Sequence, residues 1–353
     1  MGLTVLSVAY PFAPVGADSV GGAEQVLGHI DEALVCAGHC SIVIGCEGST
    51  VAGRLLPVPR VSGMLDEGEI EAAHSRHRRA INAALEQWPI DIIHLHGVDF
   101  HRYLPRANVP ILVTLHLPVS YYPTEALHPG PGVWINCVSQ SQHATCAPDP
   151  QLLPPIENGV ANNFFTSRHA KRGFALMLAR ICPEKGVHLA IEAAKRAAVP
   201  LLIGGGVFSY PAHQRYFEQE IRPRLDRWRR FIGPIGLRRK RRLLAAARCL
   251  LVPSLVPETS SLVAREALAS GTPVVAFARG ALNEALEHER TGFLVNDESQ
   301  MAEAITRTSI IDPATCRSSA RERFSLERMT RQYNATYRSL FYSARCRSTV
   351  GAA

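Results

Sequence analysis

Short, uninterrupted apolar runs alternate with longer amphipathic stretches from one end of the chain almost to the other. The runs LTVLSVAY, CSIVIG, IDIIHLHG, PILVTLH and VWINCVS fill the first half, and FALMLAR, PLLIGGG, RRFIGPI, RCLLVPS and PVVAFA the second. They are short and apolar on both faces, the pattern of strands buried in a parallel sheet. Between them, residues 23–37, 67–87 and 186–198 repeat apolar side chains at helical spacing and predict amphipathic helices. Such alternation predicts an α/β fold, and two sets of about five or six strands predict two doubly wound, Rossmann-like domains. We place them at residues 1–160 and 161–324. The seam is expected in PPIENGVANNFFTSRHAKRG, residues 154–173, which is rich in Pro, Asn and small residues and carries neither period. Residues 325–353 form a terminal helix and tail, with Leu326, Met329, Tyr333, Tyr337 and Leu340 on one helical face.

Composition agrees with two cores: 353 residues, 46% apolar and 20% charged, with no low-complexity tract. A net charge of +7 suits an anionic partner, such as a nucleoside diphosphate, an anionic membrane face or a nucleic acid. The basic runs RPRLDRWRR and LRRKRR come without an aromatic or motif signature for nucleic acid, so no nucleic-acid partner is expected. They read as solvated faces, with an acidic acceptor or an anionic membrane surface as the sharper alternative. The nine cysteines include no CxxC pair and read as buried free thiols of a reducing compartment. No run reaches the ~18 to 20 apolar residues of a membrane span, and the first apolar run lacks a basic leader. A cytoplasmic protein is expected, with peripheral contact at the inner face of the membrane compatible with its charge.

Several strand ends carry candidate chemistry. After LLVPS, the stretch PETSSLVAREALASGTPVV places Glu258 in a loop, then Thr259, Ser260 or Ser261 as a helix cap, then Glu266 one turn inside the helix. The amides of that helix start, around Ser261, Leu262 and Val263, could receive hydroxyl or phosphate oxygens. By spacing alone the two acids are equally a capping acid and a solvated helix acid. LARICPEKGVHLAIEAAK puts Arg180 and Lys185 at a strand–helix junction, a pocket for a diphosphate or an ordinary basic helix start. In VGADSVGGAEQVLGHI, Gly21 and Gly22 open a helix and let bare backbone approach a ligand, although the spacing is not GxGxxG. Gly204 begins a GGG run at a strand end, either a ligand contact or a tight turn. His94, His96 and His116 gather at strand ends without zinc-site spacing. The first two are expected as hydrogen-bonded structural histidines and His116 as a substrate contact.

In this order the segments resemble the retaining glycosyltransferases of family 4, whose GT-B fold pairs two Rossmann-like domains facing a cleft. The resemblance spans nearly the whole chain: SVGGAEQVLGHIDEALVCAGH, IDIIHLHG, INCVSQS, PIENGV, LARICPEKGVHLAIEAA, the Glu-x7-Glu stretch from Glu258 to Glu266, and TGFLV. It departs at Ser260-Ser261, where the family usually has Phe-Gly. It departs again at Arg279–Glu284, where only Gly280 and Glu284 of a Gly-Gly-x-x-Glu pattern remain. The resemblance implies an acceptor-side first domain, a second domain that binds a nucleotide sugar such as a UDP- or GDP-sugar, and a terminal helix returning to the first. It implies that Arg180 and Lys185 hold the donor diphosphate, Glu266 the ribose and Glu258 the transferred sugar. Amides from Ser261 to Val263 would contact sugar or phosphate, while Gly21, Gly22 and Gly204 would lie against the donor and His116 would reach its sugar. The acceptor would be a hydroxyl on a glycan, a lipid-linked glycan or a small molecule, with retention of anomeric configuration. No DxD-like pair stands at the donor loop, so no metal and no further cofactor is expected. A nucleotide-sugar epimerase on the same fold and a catalytically silent membrane-surface scaffold are the alternatives.

Overall fold

The computed structural model describes residues 2–19, 21–61, 66–165 and 169–350. Val20, beside Gly21, and residues 166–168 of the expected seam therefore lie outside the described residues. Two compact units are present: Met1–Asn158 together with Glu327–Ala353, and Gly159–Leu326.

The first unit contains β1 (Thr4–Val8), β2 (Cys40–Cys46), β3 (Arg54–Val58), β4 (Ile92–Leu95), β5 (Ile111–Leu115) and β6 (Val133–Cys137), with helices α1 (Gly22–Cys36), α2 (Glu67–Gln87) and α3 (Gln140–His143). The strands pair in parallel in the order β3-β2-β1-β4-β5-β6. Leu6, Val8, Ile42, Ile44, Ile93, Leu95, Val113 and Leu115 are buried in its core. β3 was missed in the sequence because it is a half-exposed edge strand with Pro57 near its end, and an edge strand needs neither a continuous apolar run nor every backbone donor. α2 begins at Asp66, whose carboxylate accepts from the Glu69 amide at 2.8 Å.

The terminal helix, Leu326–Val350, packs onto this first unit from Glu327 onward, with Met329, Tyr333, Tyr337 and Leu340 buried. Its two tyrosines end in polar partners of the sheet: Tyr337 Oη lies 2.7 Å from His94 Nδ1, and Tyr333 Oη 3.2 Å from Thr114 Oγ1. Helical spacing of four residues is what delivers both hydroxyls to one place.

The second unit repeats the plan with β7 (Ala175–Leu178), β8 (Leu201–Gly204), β9 (Arg229–Phe231), β10 (Cys249–Val252), β11 (Val274–Phe277) and β12 (Gly292–Val295). Its helices are α4 (Val187–Arg196), α5 (Pro211–Tyr216), α6 (Leu237–Ala246), α7 (Leu262–Ala269), α8 (Leu282–Ala285), α9 (Glu298–Arg307) and α10 (Pro313–Arg323). The sheet order is β12-β11-β10-β7-β8-β9. Counted from its own first strand, each sheet runs 3-2-1-4-5-6, the doubly wound order whose ligand crevice opens beyond the strand carboxyl ends where the winding reverses. That point falls between β1 and β4 in one unit and between β7 and β10 in the other.

None of the nine cysteines is in a disulfide, but the expectation of buried thiols fails at three of them: Cys36, Cys40 and Cys346 are exposed. Cys36 closes α1 and Cys40 opens β2, ends that the turn between them leaves at the surface. No described helix is long and apolar enough to cross a membrane.

Candidate functional site

In the second unit the loops leaving β7 and β10 meet at the winding reversal. The β7 loop carries exposed Arg180 and then a short 3-10 turn, Pro183–Lys185. Gly186 follows in the left-handed region, at φ 62°, and a Cβ there would come within 2.2 Å of the Pro253 carbonyl oxygen. Only glycine lets the two loops press together at this point. The contact delivers Lys185 to Glu258: Lys185 Nζ donates to Glu258 Oε1 at 2.5 Å, and Ser254 Oγ donates to the same oxygen.

The Glu258 backbone is fixed as firmly as its carboxylate. Its carbonyl accepts from the Ala281 amide at 2.8 Å, and the two segments bridge at Gly280. The Leu255 amide donates to the Glu184 carbonyl at 2.8 Å, and the Arg279 guanidinium donates to the Leu255 carbonyl. Sequence reading found Lys185 and Glu258 but missed Ser254 and Arg279, whose roles depend on loop closure between distant segments.

Ser261 is the N-cap of α7, at φ 53° and ψ 67°, and its side chain makes no capping hydrogen bond. The left-handed turn instead points the Ser261 carbonyl into the helix, where it accepts from the Ala264 and Arg265 amides. The amides of Leu262 and Val263 belong to the first turn, which has no intrahelical acceptors to offer them. The departure from the family's glycine thus falls where glycine is easiest and any L-residue is strained, by about 1 kcal/mol. Ser261→Gly is expected to hold stability or raise it by up to about 1 kcal/mol, and Ser261→Val to lower it by about 1 to 2 kcal/mol. Urea unfolding of the two variants checks this, and the opposite order would remove the strain argument. The hydroxyl of buried Ser260 has no hydrogen-bond partner among the described residues.

Glu266 lies within α7 and is buried, which removes the solvated-acid reading. Burial pushes its carboxyl up from the usual range, and Lys240 partly offsets this. Lys240 Nζ sits 2.6 Å from Glu266 Oε1. The basic run LRRKRR is therefore not simply a solvated face. The signal was in the sequence: Lys240 precedes buried Leu244 by one helical turn, so both share the inward side of α6. Arg238, Arg239 and Arg242 instead line a separate cavity of about 700 Å³ with Arg172 and Phe174. Gly204 ends β8 buried against Leu178 and Ile235, and it is these side chains that surround it rather than the Lys185–Glu258 pair.

The remaining candidates belong to the first unit. Gly21 is the N-cap of α1 and lies under the Glu24 carboxylate, where a Cβ would come within 1.8 Å of Oε2. Gly22 is the exposed first residue of that helix. His94 is buried in β4, with Nε2 2.8 Å from Thr114 Oγ1 in addition to its Tyr337 contact. His96 follows β4, and its Nδ1 lies 3.0 Å from Nε2 of half-buried His116, which follows β5. The hydroxyl of Tyr122 accepts from the backbone amides of His116 and Leu117, fixing that turn.

Burial lowers His94 and His96 well below the ordinary imidazole value and His116 to about 4. Unfolded, these rings charge near 6.5, so below that pH the unfolded chain binds more protons than the folded one. Their contribution is complete above pH 6.5 and is lost as pH falls, for His116 toward about 4. The expected slope is about 1.4 kcal/mol per pH unit for each histidine that charges only on unfolding. Urea midpoints across this range check it, and a flat profile would contradict the neutral histidine row.

Two doubly wound parallel sheets, each reversing at the same strand position, give this chain the two-domain, Rossmann-like α/β architecture of the GT-B fold. The family model described as glycosyl transferases group 1 matches residues 173–309, within the second unit. A glycogen synthase of Mycobacterium tuberculosis is 28% identical, over 90% of this chain and 89% of that protein. The solved sucrose-phosphate synthase of Thermosynechococcus elongatus superposes with a TM-score of 0.78 at 21% identity, covering 96% of this chain and all of that one (100%). Anabaena HepE, solved with UDP and glucose, gives a TM-score of 0.75 at 18% identity, with coverage of 96% and 100%. The second unit thus carries a match to the group 1 glycosyl transferases, and the chain is a glycosyltransferase.

Proposed function

We propose that the protein moves a sugar from a nucleotide-sugar donor, such as a UDP- or GDP-sugar, to a hydroxyl acceptor with retention of configuration. The observation that carries this reading is the Lys185–Glu258 pair, assembled from the β7 and β10 loops at the winding reversal. A lysine ammonium has three donors, and Glu258 uses one of them. The others suit diphosphate oxygens, with Arg180 as the second cation and the amides of Leu262 and Val263 as further donors. Glu258 stands beside the transferred sugar, and Glu266, paired with Lys240, receives ribose hydroxyls. In the first unit, Gly21 and Gly22 offer bare backbone at the start of α1, and His116 offers a neutral imidazole to a sugar hydroxyl.

In the reaction, the bond between the anomeric carbon and the phosphate oxygen breaks as the acceptor oxygen bonds to that carbon. The acceptor proton passes to the departing phosphate oxygen. Negative charge grows on the diphosphate, where Arg180 and Lys185 stabilise it; preorganised groups of this kind contribute about 3 to 4 kcal/mol each. HepE, solved with UDP and glucose, supports a nucleotide-sugar donor by analogy alone.

Purified protein is expected to release a nucleoside diphosphate from one of a panel of UDP-, GDP- and ADP-sugars only when an acceptor extract is present. The anomeric coupling of the product reads the stereochemistry. Donor isomerised without acceptor would mark an epimerase, and no nucleotide binding by calorimetry would favour the silent scaffold.

A further inference from the structure

Close to the cations of the β7 loop lies a cluster that the transfer chemistry does not use. Cys182 precedes the Pro183–Lys185 turn, Glu184 is its middle residue, and His213 is the third residue of α5. One ligand atom from each, the thiol sulfur, a carboxylate oxygen and a ring nitrogen, lie within 4.8 Å of one another. Cys182 is buried, and Glu184 and His213 are half-buried. Among the described residues, buried Glu184 Oε2 and buried His213 Nδ1 have no hydrogen-bond partner. Two inward polar atoms left unsatisfied are costly unless something else meets them.

We propose that Cys182, Glu184 and His213 form a binding site for a divalent cation of the zinc class, with its fourth position taken by water. A thiolate and an imidazole select a borderline-soft metal, whereas magnesium and calcium take oxygen ligands. Charge also balances. The Cys182 proton is released to solvent as the metal binds, and a dication with one thiolate and one carboxylate is neutral beside Arg180. A cysteine ligates only as the thiolate, so binding strengthens with pH. The bound ion would tie the loop that carries Lys185 to the start of α5. This site is separate from the donor reading and survives its failure.

The test titrates the full, metal-stripped protein with Co²⁺. The wild type is expected to develop a near-ultraviolet thiolate-to-cobalt band with visible bands of tetrahedral Co²⁺, at one equivalent and displaced by Zn²⁺. Cys182→Ser and His213→Ala should lose these bands, and Glu184→Gln should weaken them. Combined Cys36→Ser, Cys40→Ser and Cys346→Ser, which removes the exposed thiols, should keep them. Zn²⁺ should raise the Tm of the wild type and leave that of Cys182→Ser unchanged, with Tm in EDTA reporting whether each variant folds. A wild type without the bands, a Cys182→Ser protein that retains them, or their loss in the exposed-thiol variant would each overturn the proposal.

Discussion

Lys185→Ala is expected to lower kcat by about a hundred- to a thousandfold, equivalent to about 3 to 4 kcal/mol of transition-state stabilisation. The reasoning starts from geometry. Lys185 is held at the winding reversal by Gly186 and by Glu258, so its charge is in place before the diphosphate develops its own. The effect on folding should be small, about 1 kcal/mol, because the lysine side chain is 23% exposed and Glu258 keeps its Ser254 hydrogen bond. Lys185→Arg keeps the charge but replaces a point cation by a planar fork, and intermediate activity is expected. Arg180→Ala, at an exposed position, should lose activity with no change in Tm. Steady-state kinetics beside thermal unfolding separates these outcomes, and full turnover by Lys185→Ala would defeat the assignment of this loop to the diphosphate.

The second large effect concerns Lys240 and Glu266, whose side chains are 15% and 8% exposed. Lys240→Met removes the counter-ion from a buried carboxylate and is expected to cost about 3 kcal/mol, toward the low end for breaking a buried pair. The raised pKa of Glu266 means that its ionised form is already disfavoured by folding, so its contribution declines as pH rises through the folded value. Without Lys240 the carboxyl should hold its proton to higher pH, and the loss of stability should therefore be greatest in alkaline solution. The same variant should raise the donor KM, because a protonated acid accepts ribose hydroxyls poorly. Lys240→Met combined with Glu266→Leu is expected to restore most of the stability but none of the donor affinity. Urea unfolding and donor KM of the wild type and the two variants check this. If all three were equally stable, the pair would have no structural weight.

The buried strands and their alternation with helices were legible, because a parallel strand covered on both faces must be apolar whatever surrounds it. α2 was legible to its ends because Asp66 supplies a local cap. The edge strand β3 was not, since an edge may carry Arg54 and Pro57 without penalty to the sheet. At the site, Lys185, Glu258 and Glu266 were readable as chemistry-bearing residues near helix starts. The partners Lys240, Ser254 and Arg279 were not, although the turn from Lys240 to Leu244 held the clue to one of them.

Local patterning along the chain specifies two doubly wound cores, a terminal helix with an apolar face, and a set of acids and cations at strand ends. These follow from periodicity and from short-range spacing, which the chain carries locally. Tertiary structure decided which charge meets which. The 3-2-1-4-5-6 order brings the ends of β7 and β10 side by side across 73 residues of chain, so Lys185 pairs with Glu258 and leaves Glu266 to Lys240. It also decided the backbone at Ser261, because the left-handed turn is imposed by the path from the β10 loop into α7 and is not preferred by serine.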